Sequence, residues 1–296
     1  MNNPIHFVGL THPGNRDHNE DVFAVDDTLG IALIADGMGG YACGEVASAL
    51  IRDTLLDAAQ KNEGLTEAIA RAHKSVKEES ARDDGKHGMG STVIALKSRA
   101  LDYEIAWVGD SRGYLWDGQL KQITRDHSYI EALLATGAIT AAQAIKHPNR
   151  NLITQAVGAA GAEGLEISVI HGRLCPGQRI LLCSDGLVDE VSDGQIAAIL
   201  HAEQDPERAV QVLVEQALQA GGRDNITVVL AEVAAGIASP EEQLVPYVIC
   251  TTTVEGASER HDVLPINDSG EFASVGTTAG HTSFWRSLIR RLRGME

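Results

Sequence analysis

A chain of 296 residues, 44% of them hydrophobic, has the length and apolar content for one large domain or two small ones around a sizeable core. Its net charge of −17 offers no basic field for phosphate backbones, which argues against a nucleic-acid partner. The four cysteines (Cys43, Cys175, Cys183, Cys250) are scattered with no Cys-x-x-Cys pair, which argues against a zinc site or a disulfide frame, and no apolar run reaches membrane-spanning length.

The opening Met1-Asn2-Asn3-Pro4 shows no signal-peptide pattern, so a cytoplasmic location is expected. Residues 5–10 read as a first strand, and the polar stretch from Thr11, with Pro13 and Gly14, reads as a loop ending in Glu20-Asp21. Residues 22–26 and 31–35 read as strands joined by the turn 27–30. The second ends at Asp36-Gly37-Met38-Gly39-Gly40, and a helical pattern begins near Glu45. A hairpin turn at Asp36-Gly37 would lead into another strand, which this pattern does not show. A phosphate loop would need lysine where Glu45 stands. If strands 22–26 and 31–35 are antiparallel, Glu20 and Asp21 lie beside Asp36 at one sheet edge, and adjacent residues 20 and 21 face opposite sides.

Apolar positions at helical spacing mark helices over 45–60 and 65–81. Strands follow at 92–97 and 103–108, the latter ending in Gly109-Asp110-Ser111-Arg112, and short strands near 114–116 and 120–123. Residues 128–136 and 140–146 read as helical. Strands at 165–171 and 179–184 come next, the second ending in Asp185-Gly186. Helices over 193–202 and 206–220 precede Asp224, which opens a strand at 226–233. Hairpin-joined strands separated by helix pairs give an α+β fold, antiparallel sheets covered by helices.

Aspartates thus recur at strand edges: Asp21, Asp36, Asp110, Asp185 and Asp224, with Glu20 beside the first. Carboxylates gathered in one cleft repel unless cations sit among them. Oxygen donors with no His or Cys cluster select magnesium or manganese over zinc. Two such ions a few ångströms apart lower the pKa of a shared water and aim it at phosphorus. Arg16, just before the acidic pair, has the planar fork that suits phosphate.

Arg-x-x-Asn-Glu-Asp at 16–21, Asp-Gly-Met-Gly-Gly at 36–40, Gly-x-Gly-Ser-Thr at 88–92, Gly-Asp-Ser-Arg at 109–112, Ser-Asp-Gly at 184–186 and Arg-Asp-Asn-Ile-Thr at 223–227 occur in this order. The set resembles the metal-dependent type 2C serine/threonine protein phosphatases in their compact bacterial form, over about residues 5–234. The resemblance implies a four-layer sandwich of two antiparallel β-sheets flanked by helix pairs, with two Mn2+ or Mg2+ ions at the sheet edge. It implies that Asp36 bridges both ions, with the Gly37 carbonyl as a further ligand. Asp185 and Asp224 would hold one ion, Glu20 would reach the other directly or through water, and Asp21 would stand behind them. Asp110 matches a residue linked to a third, weaker ion, Arg16 matches the substrate-phosphate ligand, and 137–155 resembles a mobile flap. Met38 stands where many eukaryotic relatives carry a histidine proposed as general acid, and a thioether cannot donate a proton.

The function implied is hydrolysis of phosphoserine and phosphothreonine on proteins, opposing a serine/threonine kinase. The alternatives are a catalytically weak relative that binds phosphoproteins and a regulatory phosphatase with one dedicated partner. The catalytic domain is expected over 1–236. Residues 237–281, rich in Ser, Thr, Gly and Pro, read as a linker in which the run 247–254 suits one strand. Residues 282–296 read as an amphipathic helix, with Phe284, Trp285, Leu288, Ile289 and Leu292 on one face and Arg286, Arg290 and Arg293 towards the other. Such a helix suits docking on the catalytic domain, a partner groove or an anionic membrane surface.

Overall fold

The run Ile31–Ala35 has no polar face because both of its faces are covered. In the computed structural model, which describes residues 3–40, 43–82, 88–144, 146–159, 164–233, 248–254 and 259–260, all five side chains are buried. The chain opens with β1 (Ile5–His12), β2 (Asp21–Asp26) and β3 (Ile31–Met38), followed by the helices α1 (Cys43–Gln60) and α2 (Leu65–Arg82). Next come β4 (Gly90–Ser91), β5 (Val93–Arg99), β6 (Asp102–Val108), β7 (Arg112–Trp116) and β8 (Leu120–Gln122). Short helices α3 (Tyr129–Ala135) and α4 (Ala141–Ala144) precede β9 (Leu165–Arg173) and β10 (Arg179–Cys183). Then follow α5 (Asp185–Val188), α6 (Asp193–Ala202), α7 (Pro206–Ala220) and β11 (Ile226–Val233), and finally β12 (Val248–Val254) and β13 (Glu259–Arg260).

The strands form two antiparallel sheets. One has the order β1-β11-β10-β7-β8; the other runs β13-β12-β9-β6-β5-β3-β2, with β4 paired to the end of β3. Alternation along each strand then builds three apolar layers. Ile31, Leu33 and Ala35 pack on Ile51 and Leu55 of α1 and Ile69 of α2. Ala32 and Ile34 join Ile94, Trp107, Ile180, Leu182 and Val229 between the sheets. Leu181, Val228 and Leu230 pack on Leu187, Ile196, Leu200 and Leu213 of the second helix group. The result is a four-layer α+β sandwich. Each fully buried aliphatic side chain in these layers contributes about 1.5–3 kcal/mol of transfer free energy.

Local chemistry sets the helix boundaries. Asp205 caps α7 by accepting from the Glu207 and Arg208 amides, and Pro206 occupies the first helical position. Gly222, at φ 53°, turns the chain out of that helix and back towards β11.

Among the boundaries that differ from the sequence reading, three lie near the acidic strand ends. Strand β3 does not stop before Asp36 but continues to Met38, because Gly37 and Met38 pair with Ser91 and Gly90. Asp185 does not end a strand; it is the first residue of α5, behind Ser184. Strand β1 runs on to His12, paired with Ile226. Within the stretch expected as a linker, Val248–Val254 pairs antiparallel with β9, Val254 opposite Leu165. The basic helix expected at 282–296 lies outside the described residues.

Candidate metal centre

Asp21 and Asp36 are direct partners across the β2–β3 ladder. Opposed residues share a face, and Asp36 follows Ala32 and Ile34 on the face turned to the other sheet. Both carboxylates therefore look into the gap between the sheets at its open end. The opposite sheet answers with hydroxyls. Ser184 Oγ and Thr227 Oγ1 donate to Asp21 Oδ2 at 2.8 Å and 2.6 Å. Asp21 Oδ1 is buried with no hydrogen-bond partner among the described residues. Burial raises the Asp21 pKa to about 6 against these two bonds.

The backbone of Asp36 is held by Ser91 of β4 and by Thr92, the residue between β4 and β5. Its N–H donates to Thr92 Oγ1 at 3.2 Å, and its carbonyl accepts from the Thr92 N–H at 2.9 Å and from Ser91 Oγ at 2.8 Å. Thr92 and Ser111 hydroxyls lie 2.9 Å apart and tie this turn to the Asp110 corner. Burial first, then Asp21, Asp185, Asp110 and Asp224, drives the Asp36 pKa well above the usual carboxylate range. Asp185 is raised strongly by burial and then by Asp110, Asp224, Asp189 and Asp21. Asp110 is pushed up to about 7, chiefly by burial and then by Asp126, with Arg112 opposing.

The remaining candidates rim this group. The Glu20 carbonyl accepts the Gly37 N–H at 3.1 Å, and its own N–H donates to Asn225 Oδ1 at 2.8 Å. Burial is the largest cause of its raised pKa, with Glu45 next. A Cβ on Gly37 would stand 2.2 Å from the Gly44 carbonyl oxygen, and one on Gly44 would stand 2.7 Å from the Glu20 carboxylate. Strand, helix start and loop thus converge where only glycine fits. Arg16 lies at the surface, donating from Nη2 to Asp224 Oδ2 at 2.8 Å and from Nε to the Arg223 carbonyl at 3.1 Å. Within the 137–155 segment, Asn151 Nδ2 donates to Asp189 Oδ2 at 3.2 Å.

Sequence reasoning missed the hydroxyls and amides that hold these carboxylates: Ser91, Thr92, Ser111, Ser184, Asn225 and Thr227. All six sit inside the quoted motifs, so the signal was in view but assigned no role. Asp126, which grips Arg112 through both carboxylate oxygens at 2.7–3.1 Å, had no local signal, because its partner is fourteen residues away.

Among the described residues, no three His, Cys, Asp or Glu side chains are closed around a common point. The donor chemistry nevertheless fits hard divalent cations. Every candidate ligand is an oxygen, Asp21 keeps an unpartnered buried oxygen, and the carboxylates raise one another's pKa values. A cation placed among them removes that repulsion.

A four-layer sandwich with an acidic, oxygen-only cleft between its sheets defines a metal-dependent hydrolase of phosphate esters. A family model described as protein phosphatase 2C matches residues 8–230. The serine/threonine phosphatase stp of Listeria monocytogenes is 36% identical over 231 residues, 73% of this chain and 91% of that protein. The crystal structure of the Mycobacterium tuberculosis serine/threonine phosphatase PstP/Ppp superposes with a TM-score of 0.71 at 34% identity, over 78% of this chain and 99% of that one. A structure of the PstP catalytic domain in complex with two manganese ions gives 0.70 at 33% identity, covering 78% and 98%. The chain belongs to the protein phosphatase 2C family.

Proposed function

We propose that this protein hydrolyses phosphoserine and phosphothreonine on protein substrates, in opposition to a serine/threonine kinase. The observation that carries this reading is the set of carboxylates that raise one another's pKa values at the open end of the sandwich. Asp36 would hold both of two Mn2+ or Mg2+ ions, with the Gly37 carbonyl beside it. Asp185 and Asp224 would hold one ion and Glu20 the other, while Asp110 would serve a third, weaker site. When bound, the ion pair supplies charge neutralisation and an activated water for attack on phosphorus. Asp21, fixed by Ser184 and Thr227, orients the group around Asp36 from behind. Arg16 at the rim presents a guanidinium fork to the substrate phosphate, its nitrogens within reach of Asp224. Met38 cannot supply the leaving-group proton.

Asp36→Asn tests the assignment. Manganese-dependent turnover of a small aryl phosphate should vanish while circular dichroism and the thermal midpoint show an intact fold. Turnover near that of the wild type would remove Asp36 from the site.

Residues 1–236 are read as the catalytic domain, with residues 282–296 as a docking helix for an anionic membrane surface or a partner. The basic residues at 286, 290, 291 and 293 in a chain of net charge −17 support this. With that helix as its anchor the protein would be cytoplasmic and membrane-peripheral; no helix among the described residues is long and apolar enough to cross a membrane. Deleting 282–296 should spare aryl-phosphate turnover and abolish binding to phosphatidylserine vesicles. Loss of basal activity in the truncated protein would make the segment part of the fold.

A further inference from the structure

His127 has no part in the site described above, yet it is buried and all its polar groups are engaged, two of them at Gly109 next to Asp110. Its Nδ1 accepts the Gly109 N–H at 3.2 Å, and its own N–H donates to the Gly109 carbonyl at 2.8 Å. Gly109 is thereby gripped on both sides at φ 107°, a conformation side-chain-bearing residues rarely adopt, with Thr92 packed where a Cβ would go. A ring nitrogen that accepts carries no proton, so the single imidazole proton sits on Nε2, which faces Ser168 Oγ at 2.9 Å. Trp107 stacks on the ring, with centroids 6.2 Å apart and planes at 26°. Tautomer, ring plane and position are therefore all fixed.

The residues on either side extend the connection. Asp126 pairs with Arg112, two residues past Asp110. Ser128 forms a bridge to Ile153 and caps α3 by accepting the Glu131 N–H. The His127 carbonyl accepts the Thr154 N–H at 2.7 Å, and the Tyr129 N–H donates to the Leu152 carbonyl at 2.8 Å. Asp126-His127-Ser128 thus joins the turn that carries Asp110 to both roots of the segment running from 129 to 152.

We propose that His127 is a positioning residue that locks the Gly109–Asp110 turn to the base of the 129–152 segment. The polar ring is buried, and its acceptor nitrogen is spent on the residue just before a site aspartate. Fixing that backbone limits the directions in which the Asp110 carboxylate can leave the turn. It also couples the 129–152 roots to Asp110, through the imidazole together with the His127 backbone N–H and the Asp126–Arg112 pair. This inference rests on the assignment of Asp110 to the metal centre.

The test uses the full chain with His127→Asn, His127→Gln and His127→Ala, and Asp110→Asn as reference. Asparagine places an amide oxygen near the Nδ1 position, whereas glutamine reaches only towards Nε2. The readouts are kcat and KM on a small aryl phosphate, calorimetric titration with Mn2+, and amide exchange at 109–112 and 152–156. His127→Ala should lower kcat and the weakest Mn2+ affinity by about 10–100-fold, the usual cost of losing a group that orients a ligand. KM should move by less than about threefold, since substrate binding is not touched. His127→Asn should recover most of the loss and His127→Gln little of it, and exchange at Gly109 and at Thr154 should rise together in the alanine variant.

Equal behaviour of the asparagine and glutamine variants would overturn the proposal, as would an alanine variant with wild-type kcat and Mn2+ titration. If the alanine variant fails to fold, the asparagine–glutamine contrast decides. If Asp110→Asn is itself silent in kcat and titration, the assignment of Asp110 falls. Exchange at 109–112 then still decides whether the lock exists.

Discussion

Arg16 shows how far single residues were legible. Its position before the acidic pair marked it as a phosphate ligand, and the structure places it beside Asp224 with 58% of its side chain exposed. An ion pair this exposed adds little to stability, on the order of 0–1 kcal/mol. Arg16→Ala should therefore leave the thermal midpoint unchanged while raising KM and the inhibition constant for inorganic phosphate. Arg16→Lys should recover only part of the loss, because an ammonium cannot match two phosphate oxygens. Unchanged KM and phosphate inhibition would reduce Arg16 to its pair with Asp224. The pairing of Asp21 with Asp36 was readable for a simple reason: a short turn fixes the register of a hairpin. Thr92 and His127 were not readable in the same way. Their roles are to hold backbone groups of residues 36 and 109, 56 and 18 positions away, and no local pattern records such a bond.

Elements were read well where their pattern is local and less well where a distant partner decides. The helices over 193–202 and 206–220 carry their own caps and periodicity and begin and end as expected. The end of β3 was misplaced, because its last two residues become strand only by pairing with Gly90-Ser91. At that end the start of α1 comes close enough that a Cβ on Gly44 would stand 2.7 Å from the Glu20 carboxylate. Gly44→Ala gains roughly 1 kcal/mol of helix propensity, which offsets only part of the strain, because its Cβ would also stand 2.8 Å from the Gly37 carbonyl carbon. The variant should have a lowered thermal midpoint, and should also need more Mn2+ for half-maximal turnover. Unchanged Mn2+ dependence would show that Glu20 moves aside without consequence.

For the molecule as a whole, the acidic cleft sets a pH dependence whose sign can be worked out. Folded-state pKa values of about 6 for Asp21 and about 7 for Asp110 lie above the ordinary 3.8, and Asp36 and Asp185 are raised as well. Between roughly pH 4 and pH 7 the folded chain then holds more protons than the unfolded one, so metal-free stability falls as pH rises. His127, lowered by burial to about 4 from 6.5, acts in the opposite sense and costs stability as pH falls through that interval. With chelator present, the thermal midpoint should rise as pH falls from about 7.5 to about 5, because the one proton withheld by His127 offsets only part of those taken up by the four aspartates. Added Mn2+ should raise the midpoint strongly at the upper pH and weakly near pH 5, where protons compete for the same oxygens. A metal-free midpoint that climbs steadily towards pH 7.5 would mean that the carboxylates do not share a cleft.

Among the described residues strand β1 pairs with β11 alone, Ile5 lying opposite Val233. During synthesis the first strand therefore waits for the last one of its own sheet. At about 5–20 residues per second, a ribosome needs on the order of ten to forty seconds to cover that distance. Asp224 and the Thr227 hydroxyl that steadies Asp21 arrive at the very end of that wait. A nascent chain released early lacks both the closing strand and part of its acidic cleft, so the complete cleft forms only once the sandwich can close.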